Sequence, residues 1–312
     1  VANSMAAVSA GATHVQGTLN GYGERTGNAD LVTIIANLQL KKKHEVLPQN
    51  ALREAFRISH AIAEVTNISP SPRQPYTGVS AFAHKAGLHA SAIKVDPAMY
   101  QHEDPESVGN DMRMLVSDMA GRASIELKSQ ELGVDLGGDR ELIGRVVERV
   151  KAMEARGFTF EAADASFELL LREEATGKRP SFFTIDHWLT TTERGSNNEI
   201  VTKAEVTVTA QGRAITCSGA GNGPVNAFDN ALRDGLNTLY PELASLELTD
   251  YKVRILEGRL GTGAVTRVLV ETSDGKGEWN TVGVHENVIA ASAMALEDAL
   301  TFGLLRQGRK PQ

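Results

Sequence analysis

An internal repeat constrains this chain more than any other feature. At a constant offset of 64 residues, Gly219, Val225, Ala227, Ala231, Leu232, Asp234 and Leu236 match Gly283, Ile289, Ala291, Ala295, Leu296, Asp298 and Leu300. Each copy reads strand, strand, strand, glycine turn, helix. The alternation is clearest where Ala204, Val206 and Val208 face one way and Lys203, Glu205, Thr207 and Thr209 the other. Two sheets, each covered on one face by a helix, predict a pseudo-twofold module that buries its apolar faces between copies and between chains. This β-rich domain is expected over residues 179–312.

Upstream the period is helical. Leu52, Ala55, Phe56, Ser59, Ile62 and Ala63 form one stripe, with Arg53, Arg57, His60 and Glu64 opposite, which places His60 in solvent. Prolines 70, 72 and 75 make residues 67–77 a loop or hinge. Asp139 is expected to cap a helix that buries Ile143, Val146, Val147, Val150 and Met153. Another helix puts Phe160, Ala163, Phe167, Leu170 and Leu171 on one stripe and stops at Gly177. A helical region is therefore expected over residues 46–178. Residues 1–45 read as a helix ending at Gly11, a strand from His14 to Thr18, a glycine-studded loop from Asn20 to Asn28, and a helix from Leu31 to Leu40. Loops after a parallel strand's carboxyl end are where α/β proteins bind ligands. A lone parallel strand also needs neighbours from elsewhere.

With 41% hydrophobic and 23% charged residues, 312 residues suffice for about two domains and exclude a disordered or collagen-like chain. The net charge of −7, with no basic run longer than Lys41-Lys42-Lys43, argues against a nucleic-acid surface. The apolar stretches Leu31 to Leu38 and Val288 to Leu296 are expected to fall far short of a membrane span, and no targeting segment is visible. The single Cys217 agrees with a reducing cytoplasm.

Chemistry-bearing residues concentrate in two places. Gly21, Gly23 and Gly27 are spaced one residue too long for the dinucleotide fingerprint, whereas Glu24, Arg25 and Asn28 among them look placed for a site. Asn28 offers a neutral oxygen to a divalent cation, insufficient alone. The eight histidines contain no H-x-H or H-x-x-x-H pair. His89 follows Gly87 and precedes small residues, which suits close approach of a ligand as well as it suits a buried, hydrogen-bonded ring. Tyr100 reads by default as a half-buried edge tyrosine. Arg233-Asp234-Gly235 lies inside the repeat helix and reads as structural.

The runs HVQGTLNGYGERTGNADLVTIIANLQLK, FAHKAGLHASAIKVDPAMYQHEDPESVGN and GVHENVIAASAMAL resemble the 2-isopropylmalate synthase and citramalate synthase family, with DYKVRILEGRLGTGA nearer the citramalate synthases. The resemblance implies an α/β plus α+β chain: the C-terminal remnant of a TIM barrel (1–45), helical linker subdomains (46–178) and a regulatory domain of two βββα units (179–312). It implies an acyltransferase in which a divalent metal (Mn, Mg or Zn) chelates a 2-oxo acid and the enolate of acetyl-CoA attacks the ketone. It matches Asn28 to the family's metal-site asparagine, Glu24 and Gly27 to the same loop, His89 to the histidine that assists proton transfer or activates water, and Tyr100 to the tyrosine beside it. The last two would reach the partner's barrel in a homodimer. The family's Arg-Asp pair, H-x-H pair and catalytic Glu have no counterpart here. They are expected to precede Val1, and the isolated chain is expected not to catalyse. Gly261, Gly263 and Ala264, in GTGA, are expected to line an isoleucine or leucine pocket or to form a ligand-free hairpin. The alternatives are a 2-isopropylmalate synthase and a non-catalytic amino-acid-sensing dimerisation module.

Overall fold

The computed structural model describes residues 1–66, 68, 71–115, 121–256 and 263–311. It is a mixed helix and sheet chain that divides into two compact units, residues 1–115 and 116–312.

The first unit contains α1 (Ala2–Ser9), α2 (Leu31–Ala36), α3 (Ala55–Thr66), β1 (Ala83–His84), α4 (Gly87–Val95) and β2 (Arg113–Met114). The expected strand from His14 to Thr18 does not form. Only Thr18 pairs, in an isolated parallel bridge to Asp30. The reason is the one the sequence poses, because a single strand without neighbours cannot complete its ladder. The helix from Leu31 tightens differently than expected: after Ala36 it continues as a π-helical turn, Asn37–Lys41. That turn presents Lys41, whose Nζ reaches the Glu103 carboxylate and the His102 carbonyl, both at 2.6 Å. The core of this unit gathers Val32, Ala36, Leu52, Ala55, Tyr76, Phe82 and Val108. His60 is half-buried rather than solvated. Its ring lies 4.0 Å from that of Phe56, and its Nδ1 meets the Phe56 carbonyl at 2.9 Å.

The second unit opens with α5 (Arg122–Glu131), α6 (Arg140–Ala155) and α7 (Asp164–Thr176). Asp139 caps α6 by accepting from the backbone N–H groups of Glu141 and Leu142, and α6 buries Leu142, Ile143, Val146, Val147 and Val150. Then come β3 (Phe183–Arg194), β4 (Ile200–Ala210), β5 (Arg213–Gly221) and α8 (Pro224–Asn237), followed by β6 (Glu247–Ile255), β7 (Thr266–Ser273), β8 (Glu278–His285) and α9 (Val288–Arg306). Each strand trio is an antiparallel sheet in sequential order.

The repeat has a steric cause. A Cβ on Gly219 would sit 2.4 Å from the Ala231 nitrogen and 2.6 Å from the Ala227 oxygen, and one on Gly283 1.9 Å from the Ala291 oxygen. In both halves the third strand carries a glycine where the helix backbone, kept small by its alanines, crosses it. Helix α7 joins two cores: Ala165 and Leu169 pack with α8, α9 and both sheets, while Phe167, Leu170 and Leu171 pack with α6, Val282 and Val284. Helix α9 is long and apolar enough by length and composition to cross a membrane, a correction to the expectation from its apolar stretch. Most of it is buried inside this fold, however, and it carries a buried Asp298 bonded to Ser166 and Arg179.

Candidate functional site

The glycine loop is built by side chains that close it from below. Asp30 caps α2 through the Val32 N–H at 3.1 Å, accepts from the Thr33 hydroxyl, and receives the Gln74 amide at 2.6 Å. Asn20 exchanges hydrogen bonds with Ser59 at 2.8 and 2.6 Å, which anchors the loop to α3. Gly27 adopts a left-handed φ of 86°, and a Cβ there would fall 2.3 Å from the Gly21 oxygen, so only glycine closes the turn. On this frame Asn28 is exposed and donates its amide to the Tyr22 carbonyl at 3.0 Å. Glu24 is also exposed. Among the described residues no group of three or more His, Cys, Asp or Glu side chains is placed to hold a metal ion. One neutral amide oxygen does not make a divalent-cation site, which takes four or more donors. The residues present therefore do not fit a metal by themselves.

His89 and Tyr100 are brought together. His89 lies on the first turn of α4, which Ala90 and Ile93 fix against the core. The helix ends at Asp96, whose carboxylate accepts from the Ala98 N–H at 2.9 Å and starts the Pro97–Met99 turn. That reversal lays Tyr100 over His89, ring centroids 4.2 Å apart and planes at 28°. Tyr100 is 43% exposed, and His89 is half-buried. A half-exposed imidazole stacked on a phenol is oriented yet open to a substrate, and histidine exchanges protons near neutrality. The loop holding Asn28 and the turn holding His89 are separate segments, each with its own internal bonds.

His84 belongs to no H-x-H or H-x-x-x-H pair, and no motif in the sequence singles it out. The residue is 9% exposed, and its ring meets that of His89 in a T-shaped arrangement with centroids 6.4 Å apart and planes at 78°. Its Nε2 is buried without a hydrogen-bond partner. Burial pushes the His84 pKa down, and the His89 charge pushes the same way. Position two residues after a buried aromatic was the only signal in the sequence.

In the second unit, Gly261 and Thr262 lie outside the described residues. Gly263 has open space around it, and Ala264 is buried. The strands on either side stay paired, the Leu256 N–H donating to the Val265 carbonyl at 2.9 Å. A Cβ on Gly157, at the end of α6, would strike the Leu256 side chain at 2.3 Å, and Arg267 donates to the Gly157 and Phe158 carbonyls. Asp234 is exposed, whereas its repeat mate Asp298 is buried.

Three family models match the chain: HMGL-like over residues 1–62, homocitrate synthase post-HMGL domain-like over 76–157, and LeuA allosteric (dimerisation) domain over 161–304. An (R)-citramalate synthase of Streptomyces coelicolor is 66% identical over 311 residues, which are 100% of this chain and 58% of that protein. An (R)-citramalate synthase of Aquifex aeolicus is 44% identical over 98% of the chain and 58% of its own length. A 2-isopropylmalate synthase of Methanocaldococcus jannaschii is 29% identical over 96% of the chain and 56% of its length. The chain thus spans a little over half the length of these relatives.

Proposed function

The chain belongs to the citramalate synthase and 2-isopropylmalate synthase family, and on that premise we propose that the protein carrying it condenses acetyl-CoA with pyruvate to give citramalate, a step toward isoleucine. The observation that carries this reading is the His89–Tyr100 stack, which lies in the segment matched by the post-HMGL model. The acetyl methyl group loses a proton, its carbon forms a bond to the 2-oxo carbon, and water then cleaves the thioester to release the CoA thiol. In this sequence His89 moves a proton at the reacting centre or activates that water. Tyr100 holds the ring. Asn28 offers one oxygen donor beside Glu24 and Gly27 in the neighbouring loop, and the described residues do not complete a metal site around it.

The protein works as a cytoplasmic homodimer in which His89 and Tyr100 complete the partner's barrel. Support comes from the match to a dimerisation domain and from the apolar side chains that it leaves exposed, among them Leu189, Val253 and Ile255. Residues 1–45 are read as the last unit of a TIM barrel and residues 179–312 as the regulatory domain. Gly263 and Ala264 border its amino-acid effector pocket.

Thiol release from acetyl-CoA by the full-length protein tests the reading. Faster turnover with pyruvate than with 2-oxoisovalerate supports it, and the reverse preference assigns the protein to 2-isopropylmalate synthesis. No turnover with either acid, divalent cations present, leaves the amino-acid-sensing module. The 312-residue chain alone is expected to form no citramalate.

A further inference from the structure

We propose that His84 is a positioning residue for His89, its buried Nε2 serving as the hydrogen-bond partner that fixes the orientation and tautomer of the His89 ring. The inference rests on the reading of His89 given above and adds to it a residue that takes no part in the stack.

Strand β1 holds His84 rigidly. His84 pairs with Met114 across the parallel bridge, and its carbonyl accepts from the Leu115 N–H at 2.8 Å. The residue is 9% exposed, and its Nε2 is buried with no hydrogen-bond partner. A buried ring nitrogen left unbonded has lost its hydrogen bonds to water without a replacement. Folded proteins pair nearly all such atoms, so one left open beside a functional side chain calls for an explanation.

The neighbouring imidazole supplies it. His89 stands at 6.4 Å between centroids in an edge-to-face arrangement, close enough for a modest turn of its half-exposed ring to bring one nitrogen to His84 Nε2. Tyr100 stacks on the face of His89, not on its edge. Burial first, and the His89 charge second, push the His84 pKa down, which favours its neutral form. A hydrogen-bond partner on one nitrogen of His89 decides which nitrogen carries the proton, and so which faces the reactants.

Long-range proton–nitrogen correlation spectra of this chain read each imidazole tautomer directly. One dominant His89 tautomer is expected in the wild type. His84→Phe, which fills the space without a nitrogen, should leave His89 a mixture of both neutral tautomers, and His84→Gln should restore a bias. In the full-length protein His84→Phe should lower kcat on the order of tenfold with the KM for pyruvate unchanged. A His89 tautomer indifferent to both substitutions, in variants with wild-type circular dichroism, overturns the proposal. If His84→Phe does not fold, His84→Gln with no change in the His89 signals overturns it equally. A full-length wild type without turnover would defeat the proposed reaction and leave the tautomer measurement to decide this point alone.

Discussion

Arg179 reaches across from the segment after α7 to Asp298 in α9, guanidinium to carboxylate at 2.7 Å, and Asp298 also accepts from the Ser166 hydroxyl at 2.7 Å. The same Arg179 contacts Glu173, which is bound in turn by Arg149 of α6. A chain of charges thus runs from α6 to the middle of α9. Removing one end of it strands the other.

Asp298→Ala is expected to destabilise the chain by about 2–4 kcal/mol, less than a fully enclosed pair would give because Arg179 keeps part of its surface in water. Urea unfolding checks this. A double-mutant cycle with Arg179→Met should return a coupling of about 1 kcal/mol or more. Additive effects would show that the pair contributes nothing beyond packing.

Glu297, beside Asp298, gives the pH dependence. Burial first and the Asp298 charge second push its pKa up to about 7, from an ordinary value of 4.5. Between those two values the folded state binds the extra proton, so stability is greatest below about pH 4.5 as far as this group is concerned. It declines as pH rises, and the loss is complete above about 7. The linked change is about 3 kcal/mol at most. Glu297→Gln should gain stability at pH 8 relative to wild type and show no gain at pH 4.5. Equal differences at both values would exclude Glu297 as the source.

Alanine at Gly283 is expected to cost about 3 kcal/mol, and at Gly219 a comparable amount, because the obstructing atoms are helix backbone, which has no rotamer to yield. Gly144, inside α6 with nothing near its Cβ position, is the control. Gly144→Ala should stabilise by about 0.5–1 kcal/mol. Thermal unfolding of the three variants decides the matter, and a mild effect at Gly283 would mean that α9 can lift off its sheet.

His89→Ala in the full-length protein should reduce kcat about 10²–10⁴-fold. Since the side chain is half-exposed, the unfolding midpoint of this chain should hardly move. Tyr100→Phe keeps the stack and should cost much less. A His89→Ala variant with wild-type kcat would remove histidine from the proton transfer.

Legibility in the sequence followed the reach of the forces involved. Helix α6 and strand β4 were readable because their burial patterns are periodic, and Asp139 and Gly177 marked helix ends through local hydrogen bonding and a left-handed turn. The paired glycines of the repeat were visible too, although only the structure shows the backbone contacts that demand them. What the spacing missed depended on packing and pairing that periodicity does not encode. The strand at His14 to Thr18 had no neighbour to pair with. His60 was drawn toward Phe56, and the apolar run in α9 continued well past Leu296. At the site, a sequence motif contains His89 and Tyr100, but their stacking depends on the Asp96 turn, and only the structure shows His84 as a nitrogen with nothing to bond. Gly261 fell outside the described residues.

Where Gly219 and Gly283 meet their helices, backbone lies directly on backbone. Side chains elsewhere in the core can change rotamer and soak up a displacement, but these two points have no such cushion. Each helix is therefore geared to its third strand, and a change in sheet twist is handed on to the helix undiminished.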